Sequence, residues 1–332
     1  MVRSGRLLPA LLAGLGLYAA ATAGAAADEM KLVRISTARS VGAPALWGIG
    51  PFAAKYNIKT EVTAAITNAD MQRALQNGVE IGQLGYQSPA VMAEQNVGNV
   101  KIVAGEYIGG QNLIMRKAVP LKAWRDLEGK KIGRPPGTYV GVLFTLAAET
   151  HGVDLNKVNI VNTTAAGTAE LQALKSGDLD GLLLWSPIID RAVAEGYADY
   201  PPCCDIGDTK EFGAGDQIIA ANTDFIKDRK DAVNFLKAFA EALDYYDKHR
   251  DKAVELIAQY TGAPKDALEV SMKHATWDVR VDIATSEAIA KVAPKFGITK
   301  NDMSAKVKNY FDLSLLAEAT GRPVAELGTF GH

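Results

Sequence analysis

One sequence pattern occurs twice in this chain and constrains its fold more than any other feature. The run ALQNGVEIGQLGYQSP starts at Ala74, and ALKSGDLDGLLLWSP starts at Ala173. Each copy reads as the end of a helix, a glycine turn, and a buried strand that ends at Ser-Pro. Because short β-rich runs alternate with helical patterns around both copies, the sequence predicts an α/β fold with two similar lobes.

The predicted elements follow the same order in both halves and then change. Strands are expected at 31–38, 59–65, 81–86, 100–107, 112–116, 131–134, 158–162, 179–185 and 217–222. Helices are expected at 69–76, 138–151, 168–175, 231–249, 252–260, 264–274, 286–296 and 302–310. The segment after 222 is predicted to contain helices and no strand, and to pack back on the first lobe as part of a discontinuous domain.

The stretch KKIGRPPGTYVGVLFTLAA, from Lys130 to Ala148, carries the most informative chemistry. It reads as a short strand, a Pro-Pro-Gly turn and a helix that opens at Thr138. The first N–H groups of such a helix have no intrahelical acceptor, and they lie at the positive end of the helix dipole. The turn is therefore a candidate anion site.

Residues 1–27 have the pattern of a cleaved secretory signal peptide. Arg3 and Arg6 form its positive region, an apolar core runs from Leu7 to Ala20, and three alanines precede Asp28. The apolar core is too short for a transmembrane anchor, and no cysteine lies near the cleavage site to accept a lipid. We therefore expect a soluble protein of the periplasm or the cell exterior, and not a lipoprotein.

Charge and cysteine content restrict the partners. Removal of residues 1–27 takes away two arginines and no acidic residue, so the formal charge would move from −2 to −4. A mildly acidic chain without a Lys/Arg cluster is not expected to bind nucleic acid or an anionic membrane.

The cysteines are the adjacent pair Cys203 and Cys204. They could form a disulfide or remain thiols, and a loop feature is favoured over redox or metal chemistry.

Three motifs together resemble those of ABC-transporter solute-binding proteins of the nitrate/sulfonate/taurine group, which also includes thiamine-precursor binders. They are the repeated strand entry described above, DLEGKKIG.P.GT at 126–138, and L..GDLDG...W.P at 174–187. The resemblance extends over about 32–222. It implies a type II periplasmic-binding fold, in which two α/β lobes joined by two crossing strands close on a small molecule. It also implies a monomer without cofactor or metal, which delivers its ligand to an inner-membrane ABC permease and its ATPase.

Carried over to this sequence, the resemblance implies a ligand-binding set in four segments. The set is Ser40, Gly42, Ala43 and Pro44 after the first strand, Tyr86, Gln87 and Ser88 at the tip of the third, Gly137, Thr138 and Tyr139 at the helix start, and Trp185 with Pro187. Hinges are implied near 109–111 and 215–218. Residues 28–111 and 218–332 would then form the first lobe, and residues 112–217 the second.

The side chains of this set suit a compact organic anion. Gln87, Ser88 and Thr138 offer hydrogen-bond donors at strand and helix ends. Aromatic walls with polar edges would come from Tyr86, Tyr139 and Trp185. Nitrate would leave these walls without a partner. The predicted ligand is therefore an anionic organic solute rather than an inorganic anion.

Structural roles compete with these functional ones. Trp185 could be a core residue, and Tyr139 could lie on the outer face of its helix. Ser88 and Ser186 could cap helices. Arg134 could pair with an anion or form a surface salt bridge, and Glu106 could meet a ligand amine or form a structural ion pair.

The function indicated is capture of a sulfonate such as taurine or an alkanesulfonate by lobe closure, without catalysis. A thiamine-precursor pyrimidine, or another small aromatic or carboxylate solute, is the alternative ligand. An enzyme on the same fold is disfavoured, because no histidine follows a strand tip and the sequence has no Gly-x-Ser-x-Gly or metal-spaced His/Cys motif. A ligand-sensing partner of a membrane receptor would have a similar sequence.

Overall fold

The protein is described by a computed structural model over residues 30–164, 167–206 and 215–330. It contains two mixed β-sheets, each covered by helices. The predicted signal peptide at 1–27 lies outside the described residues. Within the described ranges, no helix combines the length and the apolar character needed to cross a membrane.

The strands occur close to their predicted positions. In chain order they are β1 (Lys31–Thr37), β2 (Ile58–Ala64), β3 (Ile81–Gly85), β4 (Val100–Ile108), β5 (Gln111–Arg116), β6 (Lys131–Arg134), β7 (Asn159–Asn162), β8 (Gly181–Trp185), β9 (Ala198–Asp199), β10 (Gln217–Asn222) and β11 (Thr276–Trp277). The first sheet has the order β11-β4-β10-β3-β1-β2, and the second has the order β7-β6-β8-β5-β9. Apart from β11, corresponding strands have the same spatial order in both sheets. This confirms the two similar lobes expected from the repeat.

The helices lie between the strands and then fill the C-terminal segment. They are α1 (Pro44–Trp47), α2 (Gly50–Ala54), α3 (Asn68–Gln76), α4 (Ser88–Gln95), α5 (Tyr139–Thr150), α6 (Thr168–Ser176), α7 (Ile188–Ala194), α8 (Thr223–Lys227), α9 (Arg229–Lys248), α10 (Arg250–Thr261), α11 (Lys265–Ser271), α12 (Ile283–Val292), α13 (Ser304–Val307), α14 (Ser314–Thr320) and α15 (Val324–Leu327). Local chemistry explains individual starts. At α3, the Asp70 N–H donates to the Thr67 hydroxyl and the Thr67 N–H donates to the Asp70 carboxylate, which forms a capping box.

The chain crosses between the sheets twice. It leaves β4 through Gly109 and Gly110 and enters β5, and it returns from the second sheet into β10. Both β5 and β10 run antiparallel to a neighbouring strand of an otherwise parallel arrangement. The pairing assigns Gln111 to the second sheet and Gln217 to the first. Each crossing therefore comes one residue earlier than the predicted lobe boundary.

The C-terminal segment shares a hydrophobic core with the strands of the first sheet. Helix α9 buries Phe235 and Phe239 in the same hydrophobic core as Val33 and Ile35 of β1. The prediction that this segment contains no strand was wrong, because β11 pairs antiparallel with β4 at the edge of the first sheet. A two-residue strand leaves no period-two pattern in the sequence, so its tertiary pairing alone reveals it.

The cysteine alternative is resolved in favour of a disulfide between Cys203 and Cys204. Cys204 is fully buried and belongs to the core of the second lobe, against which Cys203 packs. The pair therefore lies in a loop that leads from β9 toward the second crossing.

Candidate functional site: the interlobe cavity

A cavity of about 720 Å³ lies between the two lobes. Its wall is formed by the loops after β1 and β2, the end of β3, the two crossing segments, the start of α5 and the end of β8. The carboxyl ends of parallel strands meet at one edge of each sheet, and ligands of α/β folds bind at such edges. The cavity is therefore the candidate ligand site.

Six of the predicted site residues line this cavity. They are Ser40, Gln87, Gly137, Thr138, Tyr139 and Trp185. They come from both lobes, and the fold thus brings together residues that are far apart in the sequence. Trp185 is half-buried, and it packs against the core of the second lobe while its exposed part faces the cavity.

The other residues predicted after the first strand lie behind the cavity wall. Ala43 is fully buried, and Pro44 is buried at the first position of α1. Gly42 has an indirect role, because a Cβ there would lie 2.0 Å from Gln217 Oε1 and 2.8 Å from the Tyr107 ring. Glycine at this position therefore leaves space for the side chains of Gln217 and Tyr107, which line the cavity.

Tyr86, Ser88 and Pro187 were also predicted as ligand contacts and do not line the cavity. Tyr86 is buried, and its hydroxyl accepts a hydrogen bond from the Asp282 N–H at 3.1 Å. Ser88 is buried at the first position of α4, and Pro187 precedes the first turn of α7. Tyr86 and Ser88 are thus enclosed by the first lobe, whereas Pro187 is partly exposed but lies outside the cavity.

An amide network forms the floor of the cavity in the first lobe. Gln83 of β3 donates from Nε2 to Gln217 Oε1 at 2.6 Å and to the Glu106 carboxyl. Its Oε1 accepts from the Thr37 hydroxyl and the Ala38 N–H, each at 3.1 Å. Gln83 and Gln217 were not predicted from the sequence as site residues. A glutamine inside an otherwise apolar strand was the available signal, because buried polar groups need partners.

The carboxylate of Asp216 lines the cavity at the second crossing and is 5% exposed. It accepts a hydrogen bond from Gln111 Nε2 at 2.5 Å. Burial raises its pKa to about 7, against the opposing effect of the Gln111 amide and the Gly110 N–H. No cation of the described residues pairs with it. Glu106 lies behind Gln83, whose amide donates to its carboxyl. Burial raises the pKa of Glu106 well above the usual range, and the carboxyl forms no ion pair with a cation of the described residues.

Two buried hydroxyls on the cavity wall have no hydrogen-bond partner among the described residues. They are those of Tyr107, which is 3% exposed, and Ser186, which is also 3% exposed. Ser186 was expected to cap a helix, but the first turn of α7 has no side-chain cap. An unsatisfied buried hydroxyl costs free energy, so both are available to a molecule in the cavity.

The start of α5 opens into the same cavity. Thr138 precedes the helix but does not cap it, because its hydroxyl donates to the Pro135 carbonyl at 2.8 Å. The Gly141 N–H donates to the Thr138 carbonyl at 3.1 Å, so the N–H groups of Tyr139 and Val140 are the ones left for an external acceptor. Together with the positive end of the helix dipole, they make this part of the wall suited to an anion.

Tyr139 connects the two lobes. Its backbone begins α5 in the second lobe, while its ring is buried in the core of the first lobe and its hydroxyl donates to the Gly215 carbonyl at 2.7 Å. Gly215 packs so closely on the Tyr86 ring that a Cβ would lie 2.2 Å from it. The Tyr139 side chain therefore spans the distance from the helix start to the segment that carries Asp216.

The substitution Tyr139→Phe is expected to weaken ligand binding by about three- to tenfold, because it removes a hydrogen bond worth about 1 kcal/mol that favours the closed arrangement of the lobes. Titration calorimetry with taurine measures the effect. Tyr310→Phe is the matched control, since that hydroxyl donates to the Met92 carbonyl within the first lobe at 3.0 Å. An equal loss of affinity in both variants would contradict the interlobe role.

The cavity wall contains no histidine and no cysteine among the described residues. In the same part of the chain, no group of three or more His, Cys, Asp or Glu residues is arranged to hold a metal ion. The polar groups described above are amides, hydroxyls, a carboxylate and a helix start. This set can bind and orient a small molecule.

The sequence of the chain matches a known protein family. The family model described as "NMT1/THI5 like" matches residues 54–253. The chain belongs to this family. The match covers the first lobe from α2 onward, the whole of the second lobe and the start of the C-terminal helices.

Two curated proteins are similar to part of this chain. The "Putative binding protein" of Brucella abortus (strain 2308) is 26% identical over 219 residues, which cover 64% of this chain and 65% of that protein. The chain thus spans just under two thirds of the length of this relative. The taurine-binding periplasmic protein of Escherichia coli (strain K12) is 30% identical over 132 residues, or 39% of this chain and 40% of that protein.

Solved structures share the fold. The periplasmic aliphatic sulphonate binding protein SsuA from Escherichia coli superposes with a TM-score of 0.70 at 18% identity, covering 83% of this chain and 91% of its own. The periplasmic nitrate-binding protein NrtA from Synechocystis PCC 6803 also has a TM-score of 0.70, at 14% identity, with coverage of 91% and 93%. The desulfurization enzyme DszB has a TM-score of 0.64 at 14% identity, with coverage of 87% and 99%. The predicted periplasmic-binding fold is therefore confirmed, and this fold serves both binding proteins and an enzyme.

Proposed function

We propose that the protein is the periplasmic solute-binding component of an ABC import system, and that it binds a small organic solute with an oxyanion at one end and an amine at the other. The observation that carries this proposal is the presence of an uncapped helix start and an unpaired buried carboxylate, Asp216, on the wall of one cavity. Taurine has both groups.

The oxyanion would occupy the wall beside Gly137 and Thr138, where the first-turn N–H groups of α5 can donate to it. The hydroxyl of Ser186, which is buried and without a partner among the described residues, lines the same cavity and can add a donor. Neither group brings a full positive charge. Binding by oriented dipoles in a partly dry cavity is sufficient to hold a sulfonate.

The amine would pair with Asp216. A buried carboxylate without a cation is costly, and an ammonium group would offset that cost with a charge-assisted hydrogen bond. Tyr139 connects the two positions, since its backbone lies at the helix start and its hydroxyl at Gly215, next to Asp216. A bipolar solute therefore suits the chemistry of the cavity better than a simple alkanesulfonate or nitrate does.

The enzyme alternative has support from the fold that this chain shares with DszB. The residues that we expect to contact the ligand offer no nucleophile comparable to a thiolate or a histidine-activated hydroxyl, because the described cavity wall lacks both histidine and cysteine. We therefore propose binding without chemistry.

The pH dependence of ligand affinity provides the test. An ammonium group binds the ionised form of Asp216, whose pKa is about 7 in the free protein. The Kd of taurine should therefore fall about tenfold between pH 6 and pH 8 and then level off. The other ionisable groups that face this end of the cavity are Glu106, Tyr107 and Tyr139, which burial holds toward their neutral forms, and Arg39 on the wall.

Titration calorimetry at both pH values should compare taurine with ethanesulfonate, which lacks the amine. An anion without an ammonium group favours the protonated carboxyl, so its affinity should fall as the pH rises. Failure of every sulfonate to bind at either pH would contradict the proposed function. A taurine Kd that rises with pH would contradict the assignment of the amine to Asp216 while leaving the anion site in place.

A further inference from the structure

A second cavity lies behind the Pro-Pro-Gly turn, on the other side of Gly137 and Thr138, which line both this cavity and the ligand cleft. It has a volume of about 420 Å³. Its wall combines Arg134, Thr145 and Asn162 of the second lobe with Lys295 and Phe296, which follow α12 in the first lobe. Two cations from different lobes thus line one cavity, and none of its described lining residues is an aspartate or a glutamate.

Arg134 is a charged residue of this cavity whose Nε lacks a hydrogen-bond acceptor among the described residues. It is half-buried at the end of β6, and its Nε is buried. Gly141 leaves room for its aliphatic stem, since a Cβ there would lie 3.0 Å from Arg134 Cδ. Other arginines of comparable burial, such as Arg116 and Arg280, form ion pairs with aspartates. Of the two alternatives that the sequence left open for Arg134, the salt bridge is absent among the described residues.

The chemistry of the site indicates its occupant. A guanidinium group stays charged at physiological pH, and burial lowers the pKa of Arg134 with no carboxylate to oppose the effect. The planar guanidinium donates well to the paired oxygens of an oxyanion. Lys295 would add a second positive charge, and Asn162 and Thr145 add polar groups to the wall. An oxyanion satisfies this set, whereas a cation or an apolar molecule would not.

We propose that the cavity between Arg134 and Lys295 is a second anion-binding site, which takes a small oxyanion such as phosphate or sulfate and holds the two lobes in their closed arrangement. The site needs both lobes, because Arg134 belongs to β6 and Lys295 to the segment after α12. An anion that contacts both side chains binds the closed arrangement more tightly than an open one. Because the ligand cleft also closes on its solute, bound anion should increase the affinity of the cleft, and by linkage the solute should increase the affinity for the anion by the same factor.

Thermal unfolding with inorganic phosphate at constant ionic strength, adjusted with chloride, tests the site. About 10 mM phosphate should raise the unfolding midpoint of the unmodified protein by roughly 2–4 °C if the Kd is near 1 mM. Arg134→Gln should abolish the rise, and Arg134→Lys should retain part of it. Arg191→Gln, at an exposed position on α7, is the matched control and should respond as the unmodified protein does.

A second measurement separates this site from the ligand cleft and does not depend on the folding of one variant. Lys295 is exposed, so Lys295→Gln should fold normally. It should bind phosphate more weakly, and the taurine Kd, which phosphate should lower in the unmodified protein, should no longer respond to phosphate. Selenate soaked into crystals should give an anomalous peak beside Arg134 Nε.

The outcomes are distinct. If no sulfonate binds but phosphate stabilises the protein in an Arg134-dependent way, the second site stands and the proposed cleft ligand fails. An equal phosphate response in Arg134→Gln and Arg191→Gln, or no response in the unmodified protein, would overturn the second site. Arg134-dependent binding with an unchanged taurine Kd in phosphate would overturn its coupling to lobe closure.

Discussion

Replacement of Asp216 by asparagine is expected to remove the affinity for amine-bearing solutes and, at the same time, to make the ligand-free protein more stable above pH 7. Loss of a charge-assisted hydrogen bond to a buried ammonium group costs at least about 2 kcal/mol, so the taurine Kd should rise about thirtyfold or more. Asparagine can still accept from Gln111 through its Oδ1, while the Gly110 N–H loses its acceptor. The Kd of ethanesulfonate should not rise.

The stability effect follows from the direction of the pKa shift. The pKa of Asp216 rises from 3.8 toward about 7 on folding. Its contribution to stability is therefore fully present below pH 4 and is lost as the pH rises through 7. Asparagine removes this loss, and the free energy of unfolding of the variant should exceed that of the unmodified protein by up to about 4 kcal/mol at pH 8 and by less at pH 5.

Urea unfolding of the ligand-free proteins at pH 5 and pH 8 measures this difference. Asp199→Asn is the control, because Asp199 is exposed and forms a surface ion pair with Lys117 at 3.8 Å. Surface pairs of this kind contribute less than about 1 kcal/mol. If Asp216→Asn binds taurine as tightly as the unmodified protein does, Asp216 is not the amine partner. If Asp216→Asn is also no more stable than the unmodified protein at pH 8, another group compensates the charge of the Asp216 carboxylate in the unmodified protein.

The substitution Gly105→Ala is expected to destabilise the first lobe by about 3 kcal/mol or more. Gly105 of β4 donates its N–H to the Val279 carbonyl at 2.7 Å, and a Cβ would lie 1.7 Å from the Arg280 carbonyl oxygen. The atoms nearest to such a Cβ are all backbone atoms of Asp278 and Arg280, so rotation of a side chain cannot relieve the clash. The segment around Val279 would be forced away from the sheet.

Chemical denaturation and amide hydrogen exchange together test this prediction. Exchange protection should fall most in β4 and around Val279, where the two backbones separate. Gly98→Ala is the matched control, because a Cβ there would extend into open space, with no described atom beyond its chain neighbours within 4 Å. It should change the free energy of unfolding by less than about 1 kcal/mol. Equal effects at both positions would show that conformational entropy, and not the close approach, decides the cost.

The two-lobed fold could be predicted from the sequence because its signals are local. Buried strands such as β3 and β8 are short apolar runs between turn residues, and α9 has apolar positions at helical spacing. The anion-ready turn before α5 could be predicted for the same reason, since a helix start depends on its nearest neighbours. β11 could not be predicted, because two residues form a strand there only by pairing with β4.

The composition of the candidate site is decided mostly by tertiary structure. The position of Tyr86 and Ser88 after a strand tip suggested that they line the cavity. Tyr86 instead packs against Gly215 and bonds to the Asp282 N–H, and Ser88 is buried at the start of α4. Sequence reasoning missed Asp216 as a ligand group and located only a hinge near it. A carboxylate in a crossing segment becomes important through burial and the absence of a paired cation among the described residues, and neither can be read from the sequence.

The sequence by itself determined the α/β class, the repeat of one lobe plan and the helix start at Thr138, because each depends on residues close together in the chain. Tertiary structure decided which side chains share the cavity, and it brought a carboxylate to the same wall as a helix start. It also placed Arg134 and Lys295 on one cavity across the lobes. These juxtapositions arise when two distant segments pack, since burial and charge pairing are properties of the folded chain rather than of any one stretch of it.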